Sequence, residues 1–139
     1  VRKKLLWDLC LVALFASAAA CTPHPARDDR AAPYRSSWRI LGTWAGRGST
    51  QTPSFDVATG ALRLRWQTRN ESQQGAGTFR VSLHSAISGR WLQTLADVRG
   101  TGGDAVHFAD EPRLSYLVIE SENVDWTATL EEAVPATSD

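Results

Sequence analysis

The sequence predicts an all-β fold, a single small antiparallel β-sandwich (jelly-roll-like) of about eight strands, preceded by a signal helix and a disordered linker. Three observations lead there. Beyond residue 38 the chain is a succession of short apolar runs separated by Gly-, Asn- and Asp-containing clusters, the spacing of strands and turns. Several of those runs alternate strictly between apolar and polar residues, which is the period of a half-buried strand. No stretch outside the leading segment sustains a 3.6-residue apolar period, so nothing supplies helices to cover a sheet.

The runs follow in order. Trp38 to Ala45 is the first and ends at Gly46-Arg47-Gly48; Ser54 to Val57 is a short second. Ala61 to Thr68 is the clearest, with Leu62, Leu64 and Trp66 alternating with Arg63, Arg65 and Gln67. After the polar loop Asn70 to Gly77, Thr78 to Ala86 repeats the pattern, with Phe79, Val81 and Leu83 on one face and Arg80, Ser82 and His84 on the other. Ser88-Gly89 reads as a hairpin turn. Trp91 to Val98, Asp104 to Phe108 and Leu114 to Glu120 are the next three runs. The last of these is apolar on both alternations, as expected of a strand covered on both faces. Glu122-Asn123 turns the chain, and Val124 to Leu130 sets Trp126, Ala128 and Leu130 on one face. The domain is expected over residues 38–131, with residues 132–139 as a disordered tail.

Residues 1–20 have a different character. Arg2, Lys3 and Lys4 precede an apolar run broken only by Asp8, and small residues lead up to Cys21. Basic head, apolar middle and small-residue end make the layout of a secretory signal peptide. Its clean apolar part is shorter than the ~20 residues of a spanning helix. Residues 21–37 hold Pro23, Pro25, Pro33 and mixed charges without apolar period, the composition of a solvated, flexible linker.

Ala18-Ala19-Ala20-Cys21 resembles the lipobox of bacterial lipoproteins, with Ala at the position where Leu is usual. The resemblance implies acylation of Cys21 and attachment to a membrane. Two or more acyl chains, each buried methylene contributing about 0.8 kcal/mol, anchor a protein stably. The same residues also form an ordinary cleavage site after Ala20, which would leave Cys21 a free thiol. The implied location is exported: cell membrane or outer membrane, on the periplasmic or extracellular side.

Composition narrows the function. Cys10 is the only other cysteine and lies in the leader, so the domain has no internal disulfide and must stand on its core. The whole chain is neutral, and the leader has three basic residues against one acid, leaving −2 beyond it. That excludes a generally basic, nucleic-acid-binding surface. Trp38, Trp44, Trp66, Trp91 and Trp126 are expected mostly in the core, where aromatics contribute most to a small domain. Trp91, beside the Ser88-Gly89 turn, is the best candidate for the alternative, an exposed ring that stacks on a sugar, although the core is expected for it too.

Together Gly46-Arg47-Gly48, Pro53-Ser54-Phe55, Leu62 to Trp66, Gly77 to Val81, Gly100 to Gly103, and Tyr116 to Ser121 leading into Trp126 to Leu130 resemble a small β-sandwich domain of bacterial exported proteins and lipoproteins. That domain has no assigned activity, so the resemblance implies fold and export and transfers no catalytic residues.

Tests for chemistry point away from an enzyme. There is no Gly-x-Ser-x-Gly elbow and no paired His/Cys spacing for a metal. Gly100 to Gly103 lacks the Lys-Ser/Thr ending of a phosphate loop. The acids at the turns fit no Ca²⁺ loop. No metal and no cofactor are expected. One arrangement is suggestive: Arg63, Arg65 and Arg80 lie on outward positions of consecutive runs, and Glu120, Glu122, Asp125, Glu131 and Glu132 come late. Cross-strand charge pairing is the plain reading. The sharper one is an Arg patch, with Trp91, for an anionic envelope glycan. The expected function is a non-enzymatic binding or scaffolding module on a lipid anchor, its partner an envelope glycan or protein.

Overall fold

The structure is a computed structural model and describes residues 36–136. The expected signal peptide, Cys21 and most of the linker lie outside these residues. Among them are nine strands and no helix. The first five are β1 (Ser36–Arg47), β2 (Thr50–Gln51), β3 (Phe55–Val57), β4 (Ala61–Arg69) and β5 (Thr78–Ser85). β6 (Trp91–Arg99), β7 (Gly102–Ala109), β8 (Arg113–Glu122) and β9 (Asp125–Pro135) complete the chain. All eight expected runs are strands, and the two-residue β2 is the addition.

Every pairing is antiparallel. One sheet has the order β1-β9-β4-β7; the other has β2-β8-β5-β6, with β3 also on β8. Apart from the β5–β6 hairpin and the β2–β3 step, each connection crosses from one sheet to the other. This interleaved order is that of a jelly roll, two Greek keys wrapped into a sandwich.

The period-two alternation builds the core. Leu62 and Leu64 of β4, Phe79, Val81 and Leu83 of β5, Leu117 and Ile119 of β8, and Trp126, Ala128 and Leu130 of β9 are buried between the sheets. Phe79 lies between two indoles, its ring centroid 5.5 Å from that of Trp66 and 6.1 Å from that of Trp126. The Trp126 Nε1–H donates to the Gly48 carbonyl at 2.9 Å, so the indole buries its polar atom at no loss. A fully buried aromatic of this size contributes on the order of 3 kcal/mol.

β1 departs from simple alternation. Trp38 and Trp44 are six residues apart and should share a face. The register shifts between Ile40 and Gly42, a bulge that reverses the facing of everything beyond it. Trp44 therefore turns inward toward Phe55, 6.1 Å away. Trp38, expected in the core, stands on the outer face against His107 and Arg63.

Three further expectations are corrected. β8 is not covered on both faces: on its outer side Leu114 is 43% exposed, and Glu120 and Glu122 are exposed as well. β9 continues to Pro135, so residues 132–135, expected in the tail, are strand, and Glu132 is fully buried. Ser36 and Ser37, expected in the linker, begin β1.

Candidate functional site

The three candidate arginines do not form one patch. β4 belongs to the first sheet and β5 to the second, because the Asn70–Gly77 loop crosses between sheets. Arg63 and Arg65 therefore stand on the outer face of one sheet and Arg80 on that of the other. Consecutive strands in a jelly roll need not pair, and an argument from sequence order alone assumes that they do.

On the first sheet the pairing β1-β9-β4-β7 brings Trp38, Glu131, Arg63 and His107 into one neighbourhood. Arg63 Nε donates to Glu131 Oε2 at 2.7 Å, and Arg65 donates to both carboxylate oxygens at 3.0 Å. The Arg63 guanidinium also lies 4.2 Å from the centre of the Trp38 ring, a cation–π contact. Burial by itself would raise the Glu131 carboxyl, but the two guanidiniums outweigh it and hold it below the usual range. This is the cross-strand charge pairing that the sequence suggested.

On the second sheet Arg80 donates from Nε and Nη2 to Asp97 Oδ2 at 3.1 and 2.8 Å, and its Nη1 lies 3.9 Å from Glu120. All three arginines are thus held by carboxylates, and none is a free cation awaiting an anion.

The outer face of the second sheet carries the other candidate. Trp91 is 58% exposed; the expectation of a core position is corrected. It opens β6 immediately after the turn, and bulges on that strand carry Leu92 and the Leu95–Ala96 pair toward the core while Trp91 stays outside. Its cross-strand partner is His84, whose partner on the other side is Tyr116. Three aromatic residues thus form one row across three adjacent strands.

The row is built tightly. His84 and Tyr116 are stacked at 5.3 Å with 21° between planes. The Gly89 carbonyl accepts from His84 Nδ1 at 3.2 Å and from the Tyr116 hydroxyl at 3.5 Å. A carbonyl only accepts, so the neutral imidazole carries its proton on Nδ1 and its Nε2 accepts from the Ser82 hydroxyl at 3.0 Å. Gly89 reaches this position with φ +70°, where a Cβ is disfavoured. Beside the row stand Ile87, 85% exposed at the hairpin tip, and Leu114. Trp91 was singled out from sequence; His84 as its neighbour, Tyr116, Leu114 and Ile87 were not. Their grouping depends on the β8–β5–β6 register, which no local pattern reports.

A shallow concavity of about 380 Å³ lies at the far end of the first sheet, lined among others by Arg69, Asn70, Asp125 and Thr127. Asp125 is already engaged by Asn70 at 2.8 Å and Arg47 at 2.7 Å, which together hold its carboxyl below the usual range. Among the described residues, no three or more His, Cys, Asp and Glu side chains group to hold a metal ion. No helix there is long and apolar enough to cross a membrane.

No family model matches the chain, and no curated protein matches it. One similar solved structure is that of infectious bursal disease virus, Gx strain, at 12% identity and a TM-score of 0.37. The match covers 75% of this chain and 32% of the viral one, so this chain spans about a third of that protein.

Proposed function

We propose that the chain is a non-enzymatic binding module held to a bacterial cell envelope by acylated Cys21, with the outer face of the second sheet as the face that meets a partner. The observation that carries the binding role is Trp91. An indole left largely in water forgoes the stabilisation that Trp126 supplies in the core. Here that ring is fixed by strand register beside two further rings and two exposed aliphatic side chains. Grouped exposed apolar and aromatic side chains mark a contact site, and Trp and Tyr are the residues that most often dominate one.

The anchor rests on the sequence: the basic head, the short apolar run and the lipobox-like Ala18 to Cys21. The non-enzymatic reading rests on the setting of Ser82 and His84. Their hydroxyl and imidazole are within hydrogen-bond distance, the relationship of a nucleophile and its base. Both stand on β5, which is paired along both edges. Ser82 is buried, so its hydroxyl is not open to a substrate carbonyl.

The test is crosslinking in intact envelopes, with a photoreactive residue at position 91 and, as control, at the exposed position 40 of the other sheet. The expected result is a discrete adduct from position 91 only, retained in the membrane fraction and lost to the soluble fraction with Cys21→Ser. Equal labelling from both positions, or a Cys21→Ser protein that stays with the membrane, would refute the corresponding half.

A further inference from the structure

We infer that the Trp91 face takes an uncharged glycan, a chain of pyranose rings lying across the strands with one ring seated on the indole. The inference rests on the proposed binding face and adds the chemistry of its ligand.

The charge pattern selects the ligand class. Read from the β5–β6 hairpin outward, the face is a series of cross-strand rows. Trp91, His84 and Tyr116 form one; Thr94, Ser82, Val118 and Gln51 form the next. Neither contains an acid, a lysine or an arginine. Formal charge on this face begins beyond them, with Asp97, Arg80 and Glu120 on one side and the exposed Asp56, opposite Leu114, on the other; Arg90 is exposed in the turn that leads into Trp91. The Arg80 guanidinium is taken up by its own carboxylates at 2.8 and 3.9 Å. A phosphorylated or carboxylated glycan would have to displace Asp97 from Arg80 and would then face two repelled carboxylates. A neutral chain meets no such barrier.

The mixture of groups fits a sugar better than a protein surface. A pyranose presents an apolar C–H face and a rim of hydroxyls. The surface presents an open indole and, beside it, an imidazole and a phenol, with the Thr94 hydroxyl and the Gln51 amide in the next row. Across three strands the row spans about two inter-strand spacings, ~10 Å, the scale of two or three linked sugar rings. The site is also preorganised: the His84–Tyr116 stack is held on its two sides by the Gly89 carbonyl and the Ser82 hydroxyl. Little ordering entropy is then lost on binding.

The experiment is affinity electrophoresis and tryptophan-fluorescence titration of the full chain carrying Cys21→Ser. Probes are mixed-linkage β-glucan, dextran and chitohexaose, with polygalacturonate as the anionic comparison. The expected result is binding to at least one neutral probe, weakened about tenfold or more by Trp91→Ala and several-fold by Tyr116→Phe or Tyr116→Ala, and unchanged by Arg80→Ala or Trp38→Ala. Circular dichroism of each variant separates lost binding from lost fold. Preferential binding of polygalacturonate that falls with Arg80→Ala or Arg90→Ala would overturn the inference. So would failure of every neutral probe. If the crosslinker at position 91 still traps an envelope protein in that case, the binding face stands and the glycan assignment falls. If it traps nothing, both fall.

Discussion

Glu132 is fully buried, and its Oε2 accepts from Arg39 Nη2 at 2.6 Å. Its other oxygen accepts from the backbone N–H groups of Ala58 and Thr59 at 2.7 and 2.5 Å. One carboxylate thus ties β9, the edge strand β1 and the β3–β4 turn together. Glu132→Ala orphans two N–H groups and a guanidinium at once, so it is expected to cost about 3 kcal/mol or more. Glu132→Gln keeps an acceptor for one side and costs less. Urea denaturation of the two variants measures both.

Acid should unfold the domain through the same carboxylates. Burial alone would raise Glu132, but the Thr59 and Ala58 amides and Arg39 outweigh it, and Arg63 and Arg65 do the same for Glu131. Both folded values therefore lie below the unfolded value of about 4.5. The unfolded chain then binds more protons than the native one in that window. The stabilisation is complete above roughly the ordinary glutamate pKa of ~4.3 and is lost as pH falls through the folded values. Tm is expected to be flat near neutral pH and to drop below about pH 4.5, and Glu131→Gln combined with Glu132→Gln should flatten that limb while lowering Tm at pH 7.

Arg63 and Arg65 share Glu131 but are not equivalent. Arg63 is the more buried and also covers the Trp38 ring. Arg63→Ala should cost about 1–2 kcal/mol and Arg65→Ala less than ~1. The double variant should cost more than their sum, since it leaves Glu131 buried with neither partner. A thermodynamic cycle in urea reads the difference.

How far the sequence reached follows from which features are local. Alternation of Leu62, Leu64 and Trp66 with arginines, or of Phe79, Val81 and Leu83 with polar residues, is written in adjacent positions, and those strands and their facing were legible. The Leu41 bulge was not, because a single extra residue leaves no compositional mark while it sends Trp38 and Trp44 to opposite faces. Nor was the separation of Arg80 from Arg63 and Arg65, which depends on a loop crossing between sheets. Glu132 reads as a tail residue until its partners, 73 and 74 positions earlier, are seen folded onto it. Trp91 was legible as a candidate because a turn precedes it. Its companions were not, because His84 and Tyr116 meet only through register.

Gly42 offers a test of the bulge. A Cβ placed there would lie 2.2 Å from Trp44 Cζ2, well inside contact distance. Gly42→Ala must displace the indole from the core and should cost about 1–3 kcal/mol. Gly102→Ala, with open space around its Cβ, is expected within about 0.5 kcal/mol of the parent. The two melting temperatures separate steric demand from the general effect of removing glycine.

Trp91 and Trp126 make the sharpest pair. The first stands in water on the outer face; the second is buried, touches Phe79 and donates its N–H to Gly48. Trp126→Ala opens a cavity and orphans the Gly48 carbonyl, so about 3–5 kcal/mol should be lost, enough to unfold a domain of marginal stability. Trp91→Ala removes contacts only with surface neighbours and should move stability by about 0.5 kcal/mol or less. If the Trp91 face is a binding surface, the residue whose loss the fold barely registers is the one whose loss weakens glycan binding about tenfold or more. A melting temperature for Trp91→Ala as low as that of Trp126→Ala would instead make the ring a structural element, and the surface it dominates would lose its claim to a ligand.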